Sequence, residues 1–436
     1  MSDTPVSPTL QPSAQLVRAI GRWSLIALAI NSVIGSGIFG LPSLVAGLTG
    51  RASPWAVVLA GLSIGVIIAC FAEVSSCFDQ AGGPYLYARA AFGRFAGIQT
   101  GWMLWFTHVV AAAAGTNLFV LYLAEFLPRA RQPLPRFLVL TVLIWFLAAV
   151  NVVGVAAGAR LSNLFTVAKL LPLFAIIALG LVLRPHASVG VAPASVSFSS
   201  WSKSILLMFF AYGGFESALL PMSEAKNPKR DAPLALMVSL GVCCLIYTAI
   251  QWLVVTALPN PASSARPLAD LARLLAGPPG AAFVTVGALI SVYGYLGTRI
   301  LSIPRITLAF AENGDFPRWF AYIHRRFCTP YVSIIVFAAA VWGFALTGQF
   351  AWNVTLSAVS RLFYYAIICA AIPILRKQFP GRALFRVPGG FLLPALGVLI
   401  CLSLFTQVDF KQSLILGATV LLAAGNWLWA RKANPE

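Results

Sequence analysis

Apolar residues in this chain neither alternate nor mark one helical face; they run on without polar relief. Taking roughly 20 apolar residues as one bilayer crossing, the sequence holds twelve such runs. They lie near 22–48, 54–78, 95–126, 136–154, 159–183, 202–225, 233–258, 281–311, 331–348, 353–375, 388–408 and 411–430. The pattern predicts an all-α membrane protein of twelve transmembrane helices, because a helix satisfies its own backbone in hydrocarbon. An even number of crossings returns the C-terminus to the side of the N-terminus.

Two of these runs are interrupted where a helix should be continuous. The first contains "INSVIGSGIFGLP" (Ile30–Pro42), and the sixth contains "FFAYGGFESALLP" (Phe209–Pro221). A backbone group freed at mid-depth costs several kcal/mol, so such a break needs a reason. The plain reason is close helix packing, which small residues favour in membranes. A second reason follows from position. The breaks stand five runs apart, and five is odd, so equivalent five-helix units would face opposite ways across the bilayer. Paired glycine breaks in inverted repeats point to a secondary transporter with a mid-membrane site. The expected organisation is a disordered cytoplasmic tail (1–20), a first repeat (21–200), a second repeat (201–376), and two further helices with a C-terminal tail (377–436).

Composition agrees with a membrane protein: 59% of residues are hydrophobic, 10% are charged, and the mean hydropathy is +0.87. The net charge of +18 would suit a nucleic-acid partner if it were clustered. Instead Lys and Arg are weighted to the tails and alternate loops, the positive-inside pattern of a cytoplasmic-membrane protein with both termini inside. No cleavage-site pattern precedes the first run, so a retained tail is expected rather than a signal peptide. The seven cysteines lie in or near the runs or in the inner loop before the ninth, which predicts no disulfide framework. No spacing suggests a metal or another cofactor, and nucleic acid is not expected as a partner.

The breaks carry a specific chemistry. A half-helix beginning after Gly35 presents the amides of Ser36, Gly37 and Ile38 at its positive dipole end, a seat for a carboxylate. Ser36 adds a hydroxyl. Half-helices ending near Val33–Ile34 and near Ala211–Gly213 present carbonyls that suit an ammonium. A zwitterionic α-amino acid matches both. Glycine at 35, 37, 213 and 214 lets a ligand approach the backbone. Phe210, Tyr212 and Phe215 serve either as lids over that ligand or as ordinary packing.

Four stretches in order resemble one family: "GSGIFGLP", "QAGGPYLYARAAFGR" (Gln80–Arg94), "FAYGGFES" and "AENGDFPRWF" (Ala311–Phe320). They look like the amino acid–polyamine–organocation transporters, and the likeness covers nearly the whole chain. The first break also resembles that of L-type amino acid transporters and of the arginine–agmatine antiporter. The resemblance implies a LeuT-type fold of five-plus-five inverted helices with broken helices 1 and 6, and no enzymatic activity. It places Phe210 at the aromatic gate and His108 beside the substrate side chain.

Ionisable residues within the runs are expensive and therefore informative. Lys169 lies about nine residues into the fifth run, roughly 13 Å deep. By resemblance to sodium-independent relatives its ammonium replaces the sodium ion that joins helices 1 and 8 elsewhere; the plainer role is a tether to helix 1 carbonyls, and a coupling role is to exchange a proton itself during transport. Glu216 is either a hydrogen-bonding strut or a protonatable coupling group. His108 is a satisfied interhelical donor or a contact for substrate or proton. Arg299 departs from the family pattern and either faces the site, favouring anionic or strongly polar side chains, or pairs with Glu216, or points away. Arg305, Arg361 and Glu73 read as structural. The function expected is Na⁺-independent amino acid transport across the cytoplasmic membrane, by H⁺ symport or amino acid exchange with alternating access. The alternatives are a polyamine or cationic amino acid antiporter, and a non-transporting amino acid sensor. A sensor would be expected to carry an output domain beyond the short tails.

Overall fold

The computed structural model describes residues 21–78, 83–154, 159–183, 196–216, 219 and 227–433, with backbone alone for 159–168, 228, 229 and 433. The expected tail (1–20), Gln80–Gly82 of the second motif and the far side of the second break fall outside the described residues. Every regular element among those described is helical.

The first apolar run folds as two helices, α1 (Arg22–Val33) and α2 (Gly37–Thr49). Between them Ile34 is extended, at φ −72° and ψ 93°. There follow α3 (Ser53–Ser76), α4 (Gly83–Phe92), α5 (Arg94–Leu123), α6 (Pro133–Val153) and α7 (Ala159–Leu183). The second break follows α8 (Phe198–Tyr212). The remaining helices are α9 (Pro228–Ala257), α10 (Pro267–Glu312), α11 (Tyr331–Thr347), α12 (Phe350–Gln378), α13 (Leu392–Phe405) and α14 (Phe410–Ala433).

Two features depart from the apolar-run pattern. α4 is a ten-residue amphipathic helix, too polar and too short to register as a run. α10 begins well before its apolar part and kinks at Ala276 and Gly277, where Gly277 has φ +69°. That left-handed backbone needs glycine, and Pro278 follows it.

By length and composition, seven helical segments among the described residues are able to cross a membrane, and three shorter apolar helices accompany them. α1 and α8 have only 12 and 15 residues, because each ends at a break. Leu138, Val142 and Phe146 on α6, Leu399 and Leu402 on α13, and Leu421 on α14 are all exposed. A surface so apolar is suited to lipid rather than water, and the protein is an integral membrane protein.

α5 forms the centre, with Ala111–Ala114 wholly buried. It packs on α12, α10, α4 and α11, while α3 packs on α9, α1 on α9, α8 on α3 and α7 on α10. Beyond the end of α10, Asp315 is fully buried and ties α4 and α5 to the turn. It accepts from Arg89 Nη1 at 2.6 Å and Arg94 Nε at 2.7 Å, and from the Tyr85 hydroxyl. Asn426 of α14 donates to its carbonyl at 2.6 Å.

Candidate functional site

The fold brings the two breaks against each other. Gly37, at the start of α2, lies so close to the end of α8 that a Cβ there would stand 3.0 Å from the Ala211 Cα. Gly214 has φ +105°, and a Cβ on it would meet the Ser32 carbonyl oxygen at 2.5 Å. The Gly214 contact requires glycine, and the Gly37 contact leaves a side chain little room. A small cavity opens between the breaks, lined by Ser32, Val33, Gly35, Ser36, Gly37, Phe210, Ala211 and Gly213, with Tyr295 and Arg299 from α10 and Arg361 from α12.

Much of the freed backbone already has partners. The Lys169 ammonium donates to the carbonyls of Asn31 at 2.6 Å and Ile34 at 2.8 Å. It sits where a cation would neutralise the C-terminal dipole end of α1. The Tyr247 hydroxyl of α9 lies 3.2 Å from the carbonyls of both Val33 and Ala211, so one side chain joins the two broken helices. Sequence reasoning missed Tyr247, and a single hydroxyl among many aromatics gives no signal. The polar residues that line the cavity are Ser32 and Ser36 at the first break, Tyr295 and Arg299 of α10 and Arg361 of α12; the Ser36 hydroxyl is the one that bears on a ligand at the start of α2. That hydroxyl is buried and has no hydrogen-bond partner among the described residues.

The predicted aromatic residues separate. Phe210 lines the cavity, with the Arg361 guanidinium 5.9 Å from its ring centre. Tyr212 turns towards α3, donating to the Val57 carbonyl at 3.0 Å with its ring 5.3 Å from that of Tyr247. Phe215 is buried between Phe71 and Tyr365, at 5.2 and 5.5 Å. Ile34 and Ile38 are buried beside the cavity rather than lining it.

The charged residues also sort themselves. Glu216 receives the Gly214 amide at 3.0 Å, the Tyr364 hydroxyl at 2.8 Å and the Tyr365 hydroxyl at 3.4 Å. Its ion-pair partner is Arg361, at 3.8 Å. Arg299 instead lies at the cavity with its guanidinium 5.1 Å from the Tyr295 ring centre. Arg361, read from sequence as structural, proves to be a fully buried wall of the cavity. Its position in a long apolar helix gave no clue to the direction it faces. His108 is buried on α5, with Nδ1 unpaired among the described residues and within electrostatic range of both arginines. It does not line the cavity. Arg305 is exposed and bonds its own helix at Leu301, and Glu73 is held by Arg376 at 2.6 and 2.8 Å.

This arrangement offers several means of recognition: backbone dipoles, a hydroxyl, an aromatic wall and fixed charges. Comparison with known proteins gives a consistent result. The amino acid permease family profile matches residues 20–420. The methylthioribose transporter of Bacillus subtilis (strain 168) is 28% identical over 416 residues, covering 89% of this chain and 88% of the relative. An uncharacterized transporter of Mycobacterium tuberculosis (strain ATCC 25618 / H37Rv) is 28% identical over 432 residues, covering 96% and 92%.

Proposed function

Because the chain belongs to the amino acid permease family, a family of transporters, we propose that it carries an amino acid across the cytoplasmic membrane without Na⁺. The observation that carries this reading is the meeting of the two broken helices around one cavity. The substrate carboxylate takes the amides of Ser36, Gly37 and Ile38, with the Ser36 hydroxyl. The ammonium takes the carbonyl side, where Ser32 faces Gly214. Phe210 closes over the ligand.

Two five-helix repeats, 21–200 and 201–376, support alternating access in this reading. Exchanging each of the first five crossings with its counterpart five later turns the α1–α9 contact into the α8–α3 contact. The same exchange turns α5–α12 into α10–α7, and both members of each pair are present. α13 and α14 follow as crossings eleven and twelve, with both termini cytoplasmic. The Lys169 ammonium, bonded to the α1 carbonyls, occupies a position that a coupling Na⁺ would need. Glu216 is the coupling carboxylate for H⁺ symport or for exchange. The arginines on the cavity wall weigh against the cationic or polyamine alternative.

Uptake by proteoliposomes, with and without Na⁺ and with an imposed pH gradient, tests this. Amino acid uptake unaffected by Na⁺ is expected. Stimulation by Na⁺ alone, or competition by methylthioribose or putrescine but by no amino acid, would overturn it.

A further inference from the structure

We infer that Arg361 is a specificity residue that selects amino acids bearing an anionic side chain, the aspartate and glutamate class. This rests on the amino acid reading above and names the substrate within it.

Arg361 is 2% exposed, in the middle of α12, and it faces the cavity at the second break. A side chain at Gly213 would overlap its guanidinium. Its Nε and Nη1 have no hydrogen-bond partner among the described residues. Glu216 is the nearest carboxylate, yet at 3.8 Å from Nη1 it is beyond hydrogen-bonding distance. Glu216 is also engaged elsewhere, holding the Gly214 amide and the Tyr364 hydroxyl.

A buried guanidinium with idle donors is costly, and the cost is removed by an anion that brings its own oxygens. Guanidinium and carboxylate match in plane and spacing, which favours a carboxylate over a hydroxyl at this wall. The charge balance points the same way. Arg299 and Arg361 both line the cavity, and no carboxylate lines it among the described residues. Glu216 offsets the Arg361 charge only from 3.8 Å, whereas a second carboxylate on the ligand meets the guanidinium at hydrogen-bonding distance and a neutral side chain does not. The α-carboxylate then remains on the α2 amides, and the side-chain carboxylate reaches Arg361 across the gap between the breaks.

The experiment is equilibrium competition on the full-length protein in Na⁺-free detergent, using labelled L-glutamate and L-alanine. L-aspartate or L-glutamate should displace either label at concentrations about tenfold or more below those of L-asparagine or L-glutamine. In Arg361→Gln that preference should fall close to unity, with L-glutamate binding weakened more than L-alanine binding, and Arg361→Lys should recover part of the preference. A wild-type preference for the amides or for neutral amino acids overturns the inference by itself, even if the variants do not fold. So does an undiminished acidic preference in a folded Arg361→Gln. In those outcomes the protein still binds amino acids, so the broader reading stands. Binding of no amino acid at all removes both.

Discussion

Among the described residues, two of the buried carboxylates paired with arginine, Asp315 and Glu216, stand in clusters that differ in completeness. At the end of α10, Asp315 is saturated by Arg89, Arg94 and Tyr85. Between the breaks, Glu216 and Arg361 stand 3.8 Å apart, and Arg361 keeps two nitrogens without partners. Both use the same chemistry around a buried carboxylate, although Arg89 is partly exposed and Arg361 is not. The saturated cluster has nothing left to offer a ligand, and its effect is to fix α4 and α5 to the turn after α10. The incomplete cluster sits where two helices have already given up their own bonds. Unmet hydrogen-bonding capacity in a buried place, not charge itself, marks the site.

The largest effect expected from breaking this contrast is at the saturated cluster. Asp315→Ala leaves Arg94 buried without its carboxylate, which costs about 3–5 kcal/mol. Thermal unfolding in detergent should show a marked drop in Tm, whereas Glu216→Gln, which keeps the shape and one acceptor oxygen, should lower Tm less. Equal losses would erase the distinction.

Next in size is Lys169→Ala. It strips partners from the carbonyls of Asn31 and Ile34, at about 1–3 kcal/mol for each buried group left unpaired. Uptake should fall by about tenfold or more while the purified protein still elutes as a folded species. Wild-type flux would reduce Lys169 to a dispensable tether.

Gly213→Ala should follow, because the added methyl meets the Arg361 guanidinium. Substrate affinity should weaken by about tenfold, with a smaller loss of Tm than in the Asp315 variant. Tyr247→Phe removes a hydroxyl shared by Val33 and Ala211; a loss of about 1 kcal/mol should appear as a several-fold change in uptake.

The smallest effect concerns pH. Tyr85 in α4 has its pKa raised, first by burial and then by its hydrogen bond to Asp315. Its protonated form is therefore favoured in the folded state, so its contribution is complete at neutral pH. Above about pH 10 the unfolded chain ionises first and the contribution declines. The Tm gap between wild type and Tyr85→Phe should be constant near neutrality and narrow in alkali. A gap that widened above pH 10 would contradict the placement of Tyr85 on Asp315.

Much of this contrast was legible in the sequence, for physical reasons that differ by residue. Glycine at 35, 37, 213 and 214 announces a break because continuous helix is otherwise obligatory in lipid. Lys169 stands out because an ammonium is rare at that depth. Tyr247 and Arg361 did not declare their roles, since which way a side chain faces on a long buried helix depends on neighbours distant in sequence. Arg361 looked like Arg305, yet one lines the cavity and the other is exposed. The kink of α10 at Gly277 lay in the "AGPPG" stretch, where a helix-breaking signal was present but lay outside the apolar run. α4 was hidden for the opposite reason, being too short and too polar to register as an apolar run.

The central claim is that the paired breaks recognise the carboxylate and ammonium of an amino acid. Its most direct test is saturable binding of a labelled L-amino acid to purified protein in Na⁺-free buffer, challenged by α-methyl esters and N-acetyl derivatives of the same compound. Saturable binding that the free amino acid displaces and neither derivative displaces is the predicted result. Displacement by the esters and N-acetyl compounds as effective as by the free amino acid, or no saturable binding of any amino acid, would contradict it.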